Sequence, residues 1–131
     1  MDKRPKKYKI LIIEDDLPAL NALIEKFSRE GFSTLEAKNG EEGLESALKN
    51  RPDLILLDIV MPKMDGMTML KKLREDEWGK HVPIIILTNL NENEKIAEAI
   101  AEGSYKYLIK SDWKIEDIVA KVRNQIETPQ S

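Results

Sequence analysis

The chain contains no cysteine and a single histidine, His81. The first absence excludes disulfides, thiolate metal sites and a cysteine nucleophile. It also fits a reducing compartment, and a cytoplasmic location is expected. With one histidine, placed in a loop by its surroundings, a phosphohistidine carrier is a poor reading. No segment approaches the roughly 20 apolar residues that a membrane span needs. The basic start, MDKRPKKYK, is not followed by the apolar core of a signal peptide. An excess of one charge is missing too: 21 Lys and Arg stand against 24 Asp and Glu, for a net charge of −3. Both signs are mixed along the chain, so nothing electrostatic calls for nucleic acid as a partner. Lys3, Arg4, Lys6 and Lys7 form a local basic cluster, read as a solvated tail. No G-x-x-x-x-G-K is present, which excludes a P-loop nucleotide site.

At 131 residues, 41% hydrophobic and 34% charged, the chain has the size and composition of one globular domain. Short β-branched runs alternate with helical patterns. The strong runs are Lys9–Ile13, Asp53–Leu57 and Val82–Leu87, and the weaker ones are Ser33–Ala37 and Tyr105–Ile109. The strong runs are almost continuously apolar, as parallel strands buried on both faces are. Between them, Leu17, Leu20, Leu23, Ile24 and Phe27 share one helical face, with Asp16 as N-cap, Pro18 in the first turn and Gly31 beyond the end. A second face is Gly43, Leu44, Ala47 and Leu48, closed by Arg51-Pro52. Met67, Leu70 and Leu73 suggest a third helix. Ile96, Ala97, Ile100 and Ala101 suggest a fourth, stopped by Gly103. Ile115, Ile118, Val119, Val122 and Ile126 form the fifth and clearest stripe. The expected fold is therefore α/β and doubly wound: (βα)5, a five-stranded parallel sheet with helices on both faces. The expected organisation is a basic tail at 1–7, one domain at 8–127 and a short tail at 128–131, with no second domain attached.

In open sheets of this kind, functional residues gather beyond the C-terminal ends of the strands. The first strand delivers Glu14, Asp15 and Asp16 there, the third Asp58, the fourth Thr88 and Asn89, and the fifth Lys110. Taken singly, each has a plain structural explanation. Asp15 or Asp16 would cap a helix, Thr88 would be a turn hydroxyl, and Lys110 a solvated surface charge. Their joint placement is what points to chemistry. Clustered carboxylates need a cation, and oxygen ligands without His or Cys suit a hard ion, Mg²⁺ or Mn²⁺. Lys110 and Thr88 could hold phosphoryl oxygens. Asp58 suits the nucleophile's role because it follows a rigid, buried strand.

Four segments carry a resemblance: KILIIEDD at Lys9–Asp16, DLILLDIVMPKMDG at Asp53–Gly66, PIIILTN at Pro83–Asn89 and GSYKYLIK at Gly103–Lys110. In this order, each at a strand end, they resemble the receiver domain of response regulators, over essentially the whole domain. The resemblance implies a flavodoxin-like sheet of order 2-1-3-4-5. It implies Asp58 as phosphoacceptor, and Asp15, Asp58 and the carbonyl of Val60 as Mg²⁺ ligands, with Glu14 acting through a metal-bound water. Thr88 would be the hydroxyl that reorients toward the phosphoryl group and Tyr107 the aromatic that moves with it. Lys110 would bridge the phosphoryl group and Asp58. Val60 and Leu90, two positions after the acceptor and after the switch threonine, would flank the hydrolytic water. The implied partners are a histidine kinase or a histidine phosphotransfer protein as donor, and a protein effector read through the fourth helix, fifth strand and fifth helix. The implied state is a monomer or a phosphorylation-dependent dimer. The chain would not be an enzyme beyond catalysing its own aspartyl phosphorylation and dephosphorylation.

Two positions depart from the family pattern. Lys110 is followed by Ser111 instead of proline, and a cis bond without proline costs about 2.5–4 kcal/mol. Asn89, which comes after Thr88, is bulkier than the small residue usual there and would be expected to line or narrow the phosphate entry. Other classes fit less well. A haloacid-dehalogenase-type phosphatase needs a second Asp where Val60 stands. A flavodoxin-like electron carrier needs a hydroxyl-rich phosphate loop where Glu14, Asp15 and Asp16 would repel the phosphate. The best alternative is a pseudo-receiver, an interaction module that takes no phosphate. Such modules usually lack one of the acids or the lysine, and this chain lacks none.

Overall fold

A computed structural model of the chain describes residues 7–58, 66–88, 106–109 and 114–127. Five strands form one sheet: β1 (Lys9–Ile13), β2 (Ser33–Ala37), β3 (Leu54–Asp58), β4 (Ile84–Thr88) and β5 (Lys106–Ile109). All neighbours are parallel, in the order β2-β1-β3-β4-β5. The helices among the described residues are α1 (Leu17–Arg29), α2 (Gly40–Asn50), α3 (Gly66–Arg74) and α4 (Ile115–Glu127). Here α4 is the fifth helix of the sequence pattern. The helix expected around Ile96–Ala101 lies outside the described residues. The parallel α/β architecture is the one the sequence led us to expect.

The period-2 alternation of the strands builds two cores. Leu11, Ile13, Ile55, Leu57, Ile84 and Ile86 join Ala47 of α2 and Met69, Leu70 and Leu73 of α3 in one buried cluster. Ile10, Ile12, Leu54, Leu56, Ile85 and Leu87 join Leu20, Leu23 and Phe27 of α1 and Ile118, Val119 and Val122 of α4 in the other. Successive side chains of one strand thus enter different clusters. Each cluster removes apolar surface from water at about 25 cal/mol per Å². No helix among the described residues is long and apolar enough to cross a membrane.

The punctuation of the sequence has the expected local causes. Asp16 is the N-cap of α1, and its carboxylate accepts from Ala19 N. Past the helix end Gly31 takes a φ of 94°, and Phe32 N returns to Phe27 O at 3.0 Å. At α2, Asn39 Oδ1 accepts from Glu42 N at 2.9 Å while Glu42 reaches back to Lys38 N at 3.4 Å, a reciprocal cap. A Cβ on Gly43 would lie 2.4 Å from Ile13 Cδ1, so this glycine lets α2 close tightly on the end of β1.

Several expectations need correction. The third strand runs one residue later than expected, so that Asp58 is its last member. Asp53 stands before it, with its Oδ2 accepting Lys9 N at 2.8 Å. The fourth strand begins at Ile84, since Pro83 has no N–H for the ladder and offers only its carbonyl, to Ile55 N at 3.0 Å. Leu17 and Leu48 lie on the expected apolar stripes but are 50% and 40% exposed. Leu17 opens α1 beyond the end of the sheet. The fully buried residues of α2 are small, Gly40, Gly43 and Ala47, and Leu44 packs partly buried against the same core.

Candidate functional site

The geometry of the acidic run comes from strand register. Ile13 of β1 pairs with Leu57 of β3. One step further brings Glu14 level with Asp58, on strands about 4.8 Å apart. Glu14 N donates to Ala37 O at 3.0 Å, which extends the contact with β2 past the end of β1. Glu14, Asp15 and Asp58 each offer a carboxylate oxygen within 4.8 Å of the other two. Glu14 and Asp58 are buried, at 1% and 6% exposure, whereas Asp15 is exposed. Asp16 has a different place: it is exposed, and its Oδ2 accepts from Ala19 N at 3.0 Å.

Two unit charges at such a separation repel by about 3–4 kcal/mol at an effective dielectric of about 20, before counter-charges are included. The donor set is carboxylate throughout, partly buried, open on the Asp15 side, and free of His and Cys. It fits a hard divalent cation that keeps positions for water or a phosphoryl oxygen. This is the one metal-competent group of acids among the described residues.

The next strands bring up the remaining candidates. Asp58 pairs with Leu87 of β4, so Thr88 stands one residue beyond the level of Asp58 on the adjacent strand. Thr88 pairs with Ile109 of β5, and Tyr107 with Ile86. Thr88 and Tyr107 are placed here by strand position alone. Lys110, next after Ile109 in sequence, lies outside the described residues, as do Val60, Asn89 and Leu90. Gly66, at the far end of the Asp53–Gly66 motif, opens α3 and is buried.

Sequence reading did not find the bond that ties the acidic run together. Asp16 N donates to Glu14 Oε1 at 3.2 Å. No residue type or spacing announces it, because it depends on the rotamer of Glu14. Nor did it single out Asn39 or Asp76. Asp76 Oδ2 accepts Trp78 N at 3.0 Å and Gly79 N at 2.8 Å, ordering the turn after α3. Both residues build the scaffold, and the Asn39-x-x-Glu42 spacing was a usable signal for the first.

A family model described as the response regulator receiver domain matches residues 10–123. The chain is 35% identical over 116 residues, 88% of its length, to the DNA-binding dual master transcriptional regulator RpaA of Synechocystis sp.. It spans about half of that relative's length, 47%. It is 36% identical over 102 residues to the sporulation initiation phosphotransferase F of Bacillus subtilis, covering 78% of this chain and 81% of that protein. Among solved structures it is similar to the receiver domain of the Francisella response regulator 1452. The TM-score is 0.78 at 32% identity, covering 89% of this chain and 94% of the other.

Proposed function

This chain belongs to the response regulator receiver domain family, and from that membership we propose that it is a phosphoryl-accepting switch in two-component signalling, with Asp58 as the acceptor. The observation that carries the reading is the convergence of Glu14, Asp15 and Asp58 at the C-terminal ends of adjacent parallel strands. Asp58 closes a strand whose five residues are all buried. Its backbone is therefore held while its side chain meets the acidic run, as a nucleophile in an in-line displacement requires.

In the proposed step a carboxylate oxygen of Asp58 attacks the phosphorus of a phosphohistidine on a histidine kinase or a histidine phosphotransfer protein. The new O–P bond forms as the P–N bond breaks, and the departing imidazole keeps the electron pair and takes up a proton. Asp15, Asp58 and the Val60 carbonyl would hold a Mg²⁺ or Mn²⁺ ion, with Glu14 acting through water, and such an ion would supply positive charge toward the phosphoryl group. Lys110 holds one of the phosphoryl oxygens and Thr88 donates its hydroxyl to another. Tyr107 moves with Thr88, and the changed surface of the helix expected around Ile96–Ala101, of β5 and of α4 is what an effector protein reads. In this reading the chain acts in the cytoplasm and catalyses only the gain and loss of its own phosphoryl group.

The test is incubation with acetyl phosphate and Mg²⁺, and then intact-mass spectrometry. One added phosphoryl group, labile to hydroxylamine, is expected. Equal labelling of Asp58→Asn, or labelling that persists in EDTA, would remove the assignment and favour an interaction module that takes no phosphate.

A further inference from the structure

We propose that Asp16 is a positioning residue for the carboxylate cluster, through a coupling between the first turn of α1 and the buried side chain of Glu14. The inference rests on the divalent-cation reading of that cluster.

Asp16 makes three hydrogen bonds that face two ways. Its Oδ2 accepts Ala19 N at 3.0 Å and its carbonyl accepts Leu20 N at 2.9 Å, both into the helix. Its own N–H points back and donates to Glu14 Oε1 at 3.2 Å. The cap holds Asp16 at φ −79° and ψ 108°, the extended geometry of an N-cap. That geometry fixes the direction of the N–H. Glu14 is 1% exposed, so water has little access to substitute for the bond. One oxygen of Glu14 is thereby restrained by the helix start. Asp15, one of the proposed ligands, lies between the two bonded residues, so the same arc of backbone sets its direction as well.

The consequence is reciprocal, as any coupling between two equilibria must be. Loss of the cap leaves the arc from Glu14 to Asp16 to be ordered by the bound cation, which weakens binding. Binding in turn should hold the first turn of α1. A cap is worth about 1 kcal/mol, so its loss should lower cation affinity by about fivefold. Loss of the ligand Asp15 should cost far more.

The test compares Asp16→Ala, Asp16→Asn and Asp15→Ala with the unaltered chain, in titrations with Mg²⁺ and with Mn²⁺ well below every melting temperature. Asp16→Asn keeps the capping oxygen and removes the charge. The expected result is an affinity within about twofold of the parent for Asp16→Asn and a loss of about fivefold for Asp16→Ala. The Glu14 amide signal in a ¹H–¹⁵N spectrum, two residues from the substitution, should move in Asp16→Ala and stay close to its place in Asp16→Asn. Hydrogen exchange at the Ala19 and Leu20 amides should slow when Mg²⁺ is added to the parent. Equal losses in Asp16→Ala and Asp16→Asn would assign the effect to charge and overturn the proposal. So would an unchanged affinity in Asp16→Ala, which would leave Asp16 a cap with no hold on the cluster. Failure of the parent chain to bind either ion is a separate outcome, and it would overturn the divalent-cation reading itself.

Discussion

Replacing Asp58 by Asn removes one of two buried negative charges at nearly constant volume, and the electrostatics of the cluster set the sign of the stability change. Glu14 and Asp58 are 1% and 6% exposed, with carboxylate oxygens inside the 4.8 Å group. Two unit charges at that distance repel by about 3–4 kcal/mol at an effective dielectric of about 20. Part of this is offset by the bond from Asp16 N to Glu14 and by the other polar contacts of both carboxylates. A net gain of about 1–2 kcal/mol is therefore expected for Asp58→Asn in EDTA, a rise in Tm of about 3–10 °C for a domain of this size. Saturating Mg²⁺ should reverse the order. A ligand at about 100 times its Kd adds about 2.7 kcal/mol to the form that binds it, and the parent offers one more carboxylate than the variant. Calorimetric melts of both proteins in EDTA and in Mg²⁺ measure all four values. A variant less stable than the parent in EDTA would refute the reasoning, because the buried carboxylates would then be held by their partners more strongly than they repel each other. An equal Mg²⁺-induced rise in both proteins would detach Asp58 from the metal.

Gly79→Ala should cost more stability than Gly43→Ala: the new Cβ would lie 2.1 Å from the backbone carbonyl oxygen of Leu73 in the first case, and 2.4 Å from the end of the Ile13 side chain in the second. Overpacking of this kind costs about 1–3 kcal/mol, and chemical denaturation of the two variants gives the order directly. On the proposed reading the phosphorylated state should persist for minutes or longer, because the pair that the family pattern sets beside the hydrolytic water, Val60 and Leu90, has no side-chain group to hydrogen-bond it; phosphate loss after donor removal measures it, with polar replacements at both positions expected to accelerate decay. The isolated domain should show no sequence-specific DNA binding, and a gel shift that depends on sequence and survives moderate salt would contradict this.

The strands and the carboxylate cluster were legible because both rest on repetition. Buried parallel strands are apolar at every position, and a βα alternation places each strand's next residues at one edge of the sheet. That put Glu14, Asp15 and Asp58 at one edge; the adjacency of β1 and β3 came only from the family resemblance, and their register is what brings the three carboxylates together. Boundaries were less legible, because single groups decide them: the missing N–H of Pro83, or the carboxylate of Asp53 that takes up Lys9 N. Leu17 and Leu48 fit a helical period but not a partner surface, which no single-helix pattern encodes. The link from Asp16 to Glu14 was hidden for a different reason. Asp16 reads as a cap from its position, but the direction of its N–H matters only once a neighbouring rotamer is known.

The division of the core into two clusters has a further meaning for how such a chain can change over time. Ile55 and Leu57 pack with α2 and α3, while Leu54 and Leu56 pack with α1 and α4. The sheet acts as a bulkhead between two compartments. Substitutions well separated across it should combine almost additively, within about 0.3–0.5 kcal/mol, whereas neighbours inside one compartment will not. The face of α4 can therefore drift in shape and composition, and be refitted to a new partner, while the pairing of β1 with β3 and the first turn of α1 stay behind as an unaltered keel that keeps Glu14 level with Asp58.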